Sequence, residues 1–242
     1  KKAGKIIHGI IRKAFATIKQ SVAEKQPLTE YELQRHIMKW FTVNKIETSD
    51  APIVAVNTHS GDPHYTPNKK DSPVIQKGDF VLLDIWGKQK FHHAIYFDVT
   101  WTGYVGDTVP SKYQEIFNVV REARDRAVSF IQNGVRKGEK IYGWEVDDVA
   151  RRFISEKGYG PYFLHRTGHS IGNEVHGSGA NMDNFETRDG RHIAAETGFS
   201  IEPGIYLRDF GIRSEVNVYV SEKDAEVTGE SQQAVVPILA GK

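Results

Sequence analysis

Two neighbouring apolar runs, DFVLLDIW at residues 79–86 and IYFDVTWT at 95–102, each hold a carboxylate in the middle of what reads as a strand. Asp84 interrupts the first run and Asp98 the second, and GKQKFHH between them reads as the tip of a hairpin. An acid surrounded by Val, Leu, Ile and Phe is costly to bury unless it is paired or bound to a cation. The same demand therefore arises twice within one hairpin.

Two further acids repeat the pattern. Glu202 sits in FSIEPGIY, where Pro203–Gly204 forces a turn directly after it. Glu215 lies in the run 212–220, which alternates cleanly. Val216, Val218 and Val220 share one face, while Arg213, Glu215, Asn217 and Tyr219 share the other. A histidine-rich stretch, FLHRTGHSIGNEVHG at 163–177, carries His165, His169 and His176. Gly168 and Gly172 bracket the middle one, so an extended or turning segment fits better than a helix, with backbone free to approach a ligand closely. Arg at 166 also rules out the helical H-E-x-x-H zinc motif. Taken singly, each acid is better explained by an ion pair with Lys or Arg. Taken jointly, four strand-embedded acids and a glycine-flanked histidine favour a metal site. Cysteine is absent, so any metal falls to His, Asp or Glu. One imidazole and four carboxylates suit two divalent ions of the Mn, Co, Fe or Zn type.

The remaining chain supplies helices and strands around this set. Residues 5–24 read as an amphipathic helix, with Ile7, Ile11, Ala14, Ile18 and Val22 at helical spacing. Its basic side, with Lys5, Arg12, Lys13 and Lys19, reads as a solvated face. Thr29 followed by Glu32 is a capping-box signature opening a helix to about Lys45. Ser111 and Gln114 form a similar pattern at the start of a helix running to about Asn133, with Gly134 as its C-terminal cap. Another helix begins near Trp144, turning Val149, Phe153 and Ile154 inward. Strands are expected at 53–56, 198–201, 205–208, 212–220 and 234–239, besides the two acid-bearing runs. Helices and sheet segments in this order suggest one α+β domain over residues 1–242. With 32 basic and 31 acidic residues, no nucleic-acid partner is indicated, and no apolar run approaches a membrane span. The lack of cysteine suits a reducing compartment, and a cytoplasmic location is expected.

The ordered motifs LLD, FDVT, HRTGHSIG, SIEPG and GIRSE resemble the pita-bread metallopeptidases, which include methionine aminopeptidase, aminopeptidase P and prolidase, with creatinase as a metal-free relative. The resemblance runs from the first helix to the last strand, and HRTGHSIG is most similar to the Xaa-Pro branch. It implies a curved antiparallel sheet with flanking helices, a peptide substrate, and two divalent ions held by Asp84, Asp98, His169, Glu202 and Glu215, with Asp98 and Glu215 shared. It further implies Glu202 as general base, His64, His165 and His176 on the substrate side, and Arg213 orienting the shared carboxylates. A homodimer is left open. Xaa-Pro members carry a separate N-terminal domain, which is expected to be absent here or to belong to a longer parent. Three departures concern the substrate pocket: thirteen residues separate Asp84 from Asp98, Trp86 replaces a glycine, and Trp101 replaces an arginine. The competing expectations are a methionine-aminopeptidase-like enzyme, a creatinase-like hydrolase and a non-catalytic peptide-binding module.

Overall fold

The computed structural model describes residues 1–241. Helices α1 (Lys2–Glu24) and α2 (Glu30–Val43) precede strands β1 (Ile46–Glu47), β2 (Ile53–Val56), β3 (Phe80–Gln89) and β4 (Phe97–Tyr104). Helices α3 (Ser111–Lys137) and α4 (Gly143–Glu156) follow. The chain then forms β5 (Ser170–Ile171), β6 (Thr197–Ile201), β7 (Gly204–Tyr206), β8 (Gly211–Arg213), β9 (Val216–Val220), β10 (Ala225–Thr228) and β11 (Val236–Pro237).

The strands divide into two main layers. One sheet runs β1-β3-β4-β11 with β2 also on β3, and the other runs β10-β9-β6-β5, while β7 and β8 form a separate hairpin. Each layer has its own core. Ile7, Ile11 and Ile18 of α1 and Leu33 and Ile37 of α2 pack on Val81, Leu83, Ile85 and Val99 of the first sheet. Phe117 and Val120 of α3 and Val146 and Phe153 of α4 pack on Phe199, Ile201, Val216 and Val218 of the second. Burying each such side chain stabilises by about 1.5–3 kcal/mol relative to exposure. The two sheets meet at Asn217 of β9. Its carboxamide accepts the Asp98 N–H at 3.0 Å and donates to the Asp98 carbonyl.

Local chemistry explains where the expected elements hold and where they shift. Thr29 caps α2 as expected, accepting the Glu32 N–H at 3.2 Å while the Glu32 carboxylate accepts the Thr29 N–H at 2.8 Å. The box expected at Ser111–Gln114 does not form. Pro110 takes the cap position, and its carbonyl accepts from Tyr113 and Gln114, while the Gln114 carboxamide accepts the Val235 N–H at 3.1 Å. α3 also continues to Lys137 and stops at Gly138, whose φ of 68° is the left-handed turn glycine allows. Gly134 lies inside the helix instead, with Ile141 filling the space a side chain would need. In α4 the inward residue is Val146, and Val149 is only half-buried. The run 212–220 is two strands, because the chain leaves β7 and joins β6 at Ser214–Glu215. The strand expected at 205–208 is a three-residue pair with β8, the one at 234–239 shrinks to two residues, and β10 is an additional strand pairing with β9.

Among the described residues no helix is long and apolar enough to cross a membrane. Replacing Thr29 with Ala should cost about 1 kcal/mol through loss of the cap. Leu33→Ala in the same helix should cost about 2–5 kcal/mol through a core cavity. Urea denaturation of both variants checks that order.

Candidate active site

Period-two geometry collects the acids. Asp84 is registered against Thr100, and Trp86 against Asp98, so all four side chains stand on one face of the β3–β4 ladder. The second layer supplies the rest: His169 just before β5, Glu202 just after β6, and Glu215 at the β8–β9 break. Asp98, His169 and Glu215 each offer a ligand atom within 4.8 Å of the others. The His169 Nε2 also lies 3.5 Å from Asp98 Oδ2 and 3.4 Å from Glu202 Oε1. Four of the five expected donors thus gather between the two sheets, and Asp84 joins them through the Thr100 hydroxyl it shares with Glu215.

Arg213 is the cation among them. It is 4% exposed, it pairs with Asp84, and its Nε lies 3.7 Å from Glu202 Oε2. Its Nε also donates to the Thr100 hydroxyl at 2.8 Å. That hydroxyl sits 2.9 Å from Glu215 Oε2 and 3.2 Å from Asp84 Oδ1, so its single proton serves one carboxylate at a time. One guanidinium cannot balance four acids. Asp98 Oδ1 and Glu215 Oε1 are buried without a hydrogen-bond partner among the described residues, the condition a bound cation relieves.

The electrostatics carry the same signature. Burial pushes Asp84 up to about 7 against the pull of Arg213. It also raises Glu202, which His169 and Arg213 partly oppose. Glu215 is lifted well above the usual carboxylate range, first by burial and then by Asp98, Glu202 and Asp84. Burial works against protonating His169, yet the Asp98 and Glu202 carboxylates outweigh it and its pKa is raised. The His169 Nδ1–H faces the Ser170 carbonyl at 3.1 Å, which leaves Nε2 turned toward the Asp98 and Glu202 carboxylates.

The histidine stretch is held from behind by α4. Asp147 accepts from the Thr167 N–H and hydroxyl at 2.9 and 2.7 Å, and is paired with Arg151 at 2.8 Å. Arg151 in turn donates to the carbonyls of Phe163 and His165. Gly168 packs so close to β6 that a Cβ would lie 2.0 Å from the Ser200 carbonyl oxygen, so glycine is required there. The Ser200 hydroxyl accepts the His169 N–H and donates to Glu202 Oε1, both at 3.0 Å, tying two donors together.

The flanking histidines differ in their surroundings. His176 packs edge-on against the His169 ring, with centroids 4.4 Å apart, and burial followed by His169 lowers its pKa. His165 is engaged at both nitrogens: Nδ1 donates to the Arg166 carbonyl and Nε2 accepts the Tyr206 hydroxyl, each at 2.7 Å. Burial and then Arg213 depress it to about 3, so it is neutral. Both of its nitrogens are thus engaged within the protein. His64 is exposed, near enough to His165 for its charge to bear on that imidazole. Trp86 is half-buried beside Asp98, and its indole N–H is without a partner among the described residues. Trp101 points to the opposite face, against His8.

Tyr206, Thr100, Ser200 and Asn217 are the site residues that inspection of the sequence missed. Alternation alone could have found Thr100, two residues after Asp98, and Asn217, two after Glu215. Tyr206 receives the Arg213 Nη1–H at 3.0 Å, and burial raises its hydroxyl to about 12 against the pull of Arg213.

The profile of metallopeptidase family M24 matches residues 1–222. The chain belongs to family M24. An uncharacterized peptidase of Staphylococcus saprophyticus is 32% identical over 227 residues, covering 93% of this chain and 59% of the relative. The Xaa-Pro dipeptidase of Lactobacillus delbrueckii subsp. lactis is 31% identical over 218 residues, covering 89% and 53%. Among solved structures, the X-Pro aminopeptidase of Thermotoga maritima superposes with a TM-score of 0.78 at 28% identity, over 97% of this chain and 61% of that one. The prolidase of Thermococcus sibiricus gives 0.77 at 30%, over 97% and 60%. The chain thus spans between half and about three-fifths of these M24 proteins. The shared architecture bears out the α+β pita-bread expectation.

The raised acids set a pH dependence for the ion-free M24 fold. A carboxyl raised in the folded state, such as Asp84 or Glu215, stabilises fully below its ordinary value, and that stability is lost as pH climbs through the folded pKa. His165 has the opposite sign, but above its ordinary 6.5 it is neutral in both states and drops out. Chelated protein should therefore melt at a lower temperature at about pH 8 than at about pH 6.5, and Glu215→Gln should flatten the slope. Differential scanning fluorimetry at constant ionic strength reads both.

Proposed function

We propose that this chain is the catalytic part of a metal-dependent exopeptidase that cleaves the bond between a first residue and a following proline. The observation that carries it is the convergence of Asp84, Asp98, His169, Glu202 and Glu215 between the two sheets, with two buried carboxylate oxygens lacking partners. The Xaa-Pro dipeptidase, prolidase and X-Pro aminopeptidase among its relatives support the substrate class.

Two divalent ions would be held by these five side chains. Asp98 and Glu215, which gather with His169, would serve both ions, with Asp84 and Glu202 at the two sides. Ions bound there supply Lewis-acid activation of water and of the scissile carbonyl. The chain's own groups do the rest. Glu202, fixed by the Ser200 hydroxyl and raised by burial, takes a proton at its carboxylate and passes it to the leaving amine. His176 is kept neutral by burial and by His169, and in that form donates an N–H to the developing oxyanion. His165 orients the Tyr206 hydroxyl, and Arg213 ties that hydroxyl to Thr100 and Asp84. His64 is assigned to the substrate side, and Trp86, registered against Asp98, borders the same face of the site.

Protein loaded with Mn or Co should cleave Ala-Pro or Ala-Pro-Xaa in preference to Met-Ala-Xaa. Faster cleavage of Met-Ala-Xaa would reassign it to the methionine-specific type, and activity untouched by chelator would favour a metal-free hydrolase. Turnover of the dipeptide alone marks a prolidase, and of the longer peptide an aminopeptidase. Glu202→Gln should lower kcat by about 10²–10⁴. His176→Ala should lower it by about 10²–10³ while elemental analysis shows metal retained. Asp98→Asn should reduce the metal content itself.

A further inference from the structure

A buried acid outside the metal cluster gathers the loop that carries His64. Glu30, the first residue of α2, is fully buried. Its carboxylate accepts three bonds from one stretch of chain: the Val56 N–H at 2.6 Å, the His59 Nδ1–H at 3.1 Å and the Tyr65 hydroxyl at 2.5 Å. The His59 and Tyr65 rings also stack on each other, with centroids 4.2 Å apart. One carboxylate thus pins the start, the middle and the end of residues 56–65, and His64 is the neighbour of its last contact.

The rest of the loop is fastened to elements of the site. Asn57, in a left-handed conformation with φ 49°, donates to Asp79 at 2.7 Å and accepts the Phe80 N–H at the head of β3. The Ser60 hydroxyl accepts the Gly211 N–H at 2.9 Å, and a Cβ on Gly211 would lie 2.0 Å from the Ser60 carbonyl oxygen. A Cβ on Gly61 would lie 2.7 Å from the Leu207 carbonyl oxygen. The loop is therefore seated on the β7–β8 hairpin that carries Tyr206 and Arg213, and Glu30 holds it from α2. His64 itself has only a local anchor, its N–H bonded to Asp62.

Resting on the peptidase assignment, we infer that Glu30 is a positioning residue for the reaction: it fixes the 56–65 loop so that His64 meets the substrate. Glu30→Gln keeps the shape and the acceptor for Val56, but its amide turns a donor toward the donors of His59 or Tyr65. The loop then loses its closure while the metal ligands keep theirs.

The test compares wild type, Glu30→Gln, Tyr65→Phe, His64→Ala and the Glu30→Gln/His64→Ala double variant, assayed on Ala-Pro-Xaa with Mn and analysed for bound metal. Small misplacements of a substrate-side group cost on the order of 10²-fold in rate. Glu30→Gln is expected to lower kcat/KM to a similar extent as His64→Ala, with metal content unchanged. The double variant should be no worse than about 3-fold below the lower single, because both changes remove the same interaction. Hydrogen exchange should accelerate in residues 56–65 and not in β6 or β9. Tyr65→Phe removes one of the three bonds and should show the same pattern more weakly, which serves if Glu30→Gln does not fold. Fully additive losses, loss of metal, unchanged kcat/KM or unchanged exchange in the loop would each overturn the inference. A wild type that cleaves no Xaa-Pro peptide overturns the peptidase assignment instead, and the exchange measurement then decides on its own whether Glu30 anchors the loop.

Discussion

Four carboxylates share one buried space, and the structure is arranged around the cost of keeping them there. Moving a charged carboxylate out of water costs several kcal/mol even after relaxation, and like charges at close range add to it. Among the described residues the protein meets that cost with the Arg213 guanidinium, which touches Asp84, Thr100 and Tyr206 and lies near Glu202, and with the His169 imidazole beside Asp98 and Glu202. The remaining imbalance raises the pKa of the Asp84 and Glu215 carboxyls above the usual carboxylate range. Cations bound among them would relieve the same imbalance, which links the electrostatics to the chemistry.

Holding such groups in place requires rigid supports behind each one. Asp147 and Arg151 of α4 grip the backbone on both sides of His165 and Thr167. Ser200 bridges His169 and Glu202. On the far side, Arg124, 1% exposed in α3, donates to the Ser214 hydroxyl at 2.7 Å and to the Gln232 carbonyl at 2.9 Å, steadying the residue between Arg213 and Glu215. The helices of the second layer thus do more than cover the sheet. They aim the donors.

The five donors were legible because each is chemically out of place in its own segment. Asp84 and Asp98 sit among apolar residues, Glu202 precedes a forced turn, and His169 stands between glycines. Among their supports, alternation places Thr100 and Asn217 on the face of the acids, yet a Thr, Ser or Asn in a strand is ordinary, and the contact of Asn217 with Asp98 spans 119 residues of intervening fold. The Thr29 box could be read because its partners are three residues apart, whereas the Ser111 pattern misled because Pro110 had already taken the cap. In α4 Phe153 and Ile154 face inward as the spacing predicts, while Val149 does not, because the inward face runs through Val146. His165 shows the same limit from another side: its position in the motif suggested contact with substrate, and only the fold shows Tyr206 and the Arg166 carbonyl occupying it.

Each half of the molecule closes its own apolar core, while the donors are divided between them: Asp84 and Asp98 from the first sheet, His169, Glu202 and Glu215 from the second. Each half alone carries two of the four acids, and Asp98 already raises Asp84 in the first as Glu202 raises Glu215 in the second. Docking of the layers adds the repulsion between the pairs, so that added weight falls on the joint. The active centre is in that sense a hinge pin, and whatever neutralises it also tightens the seam.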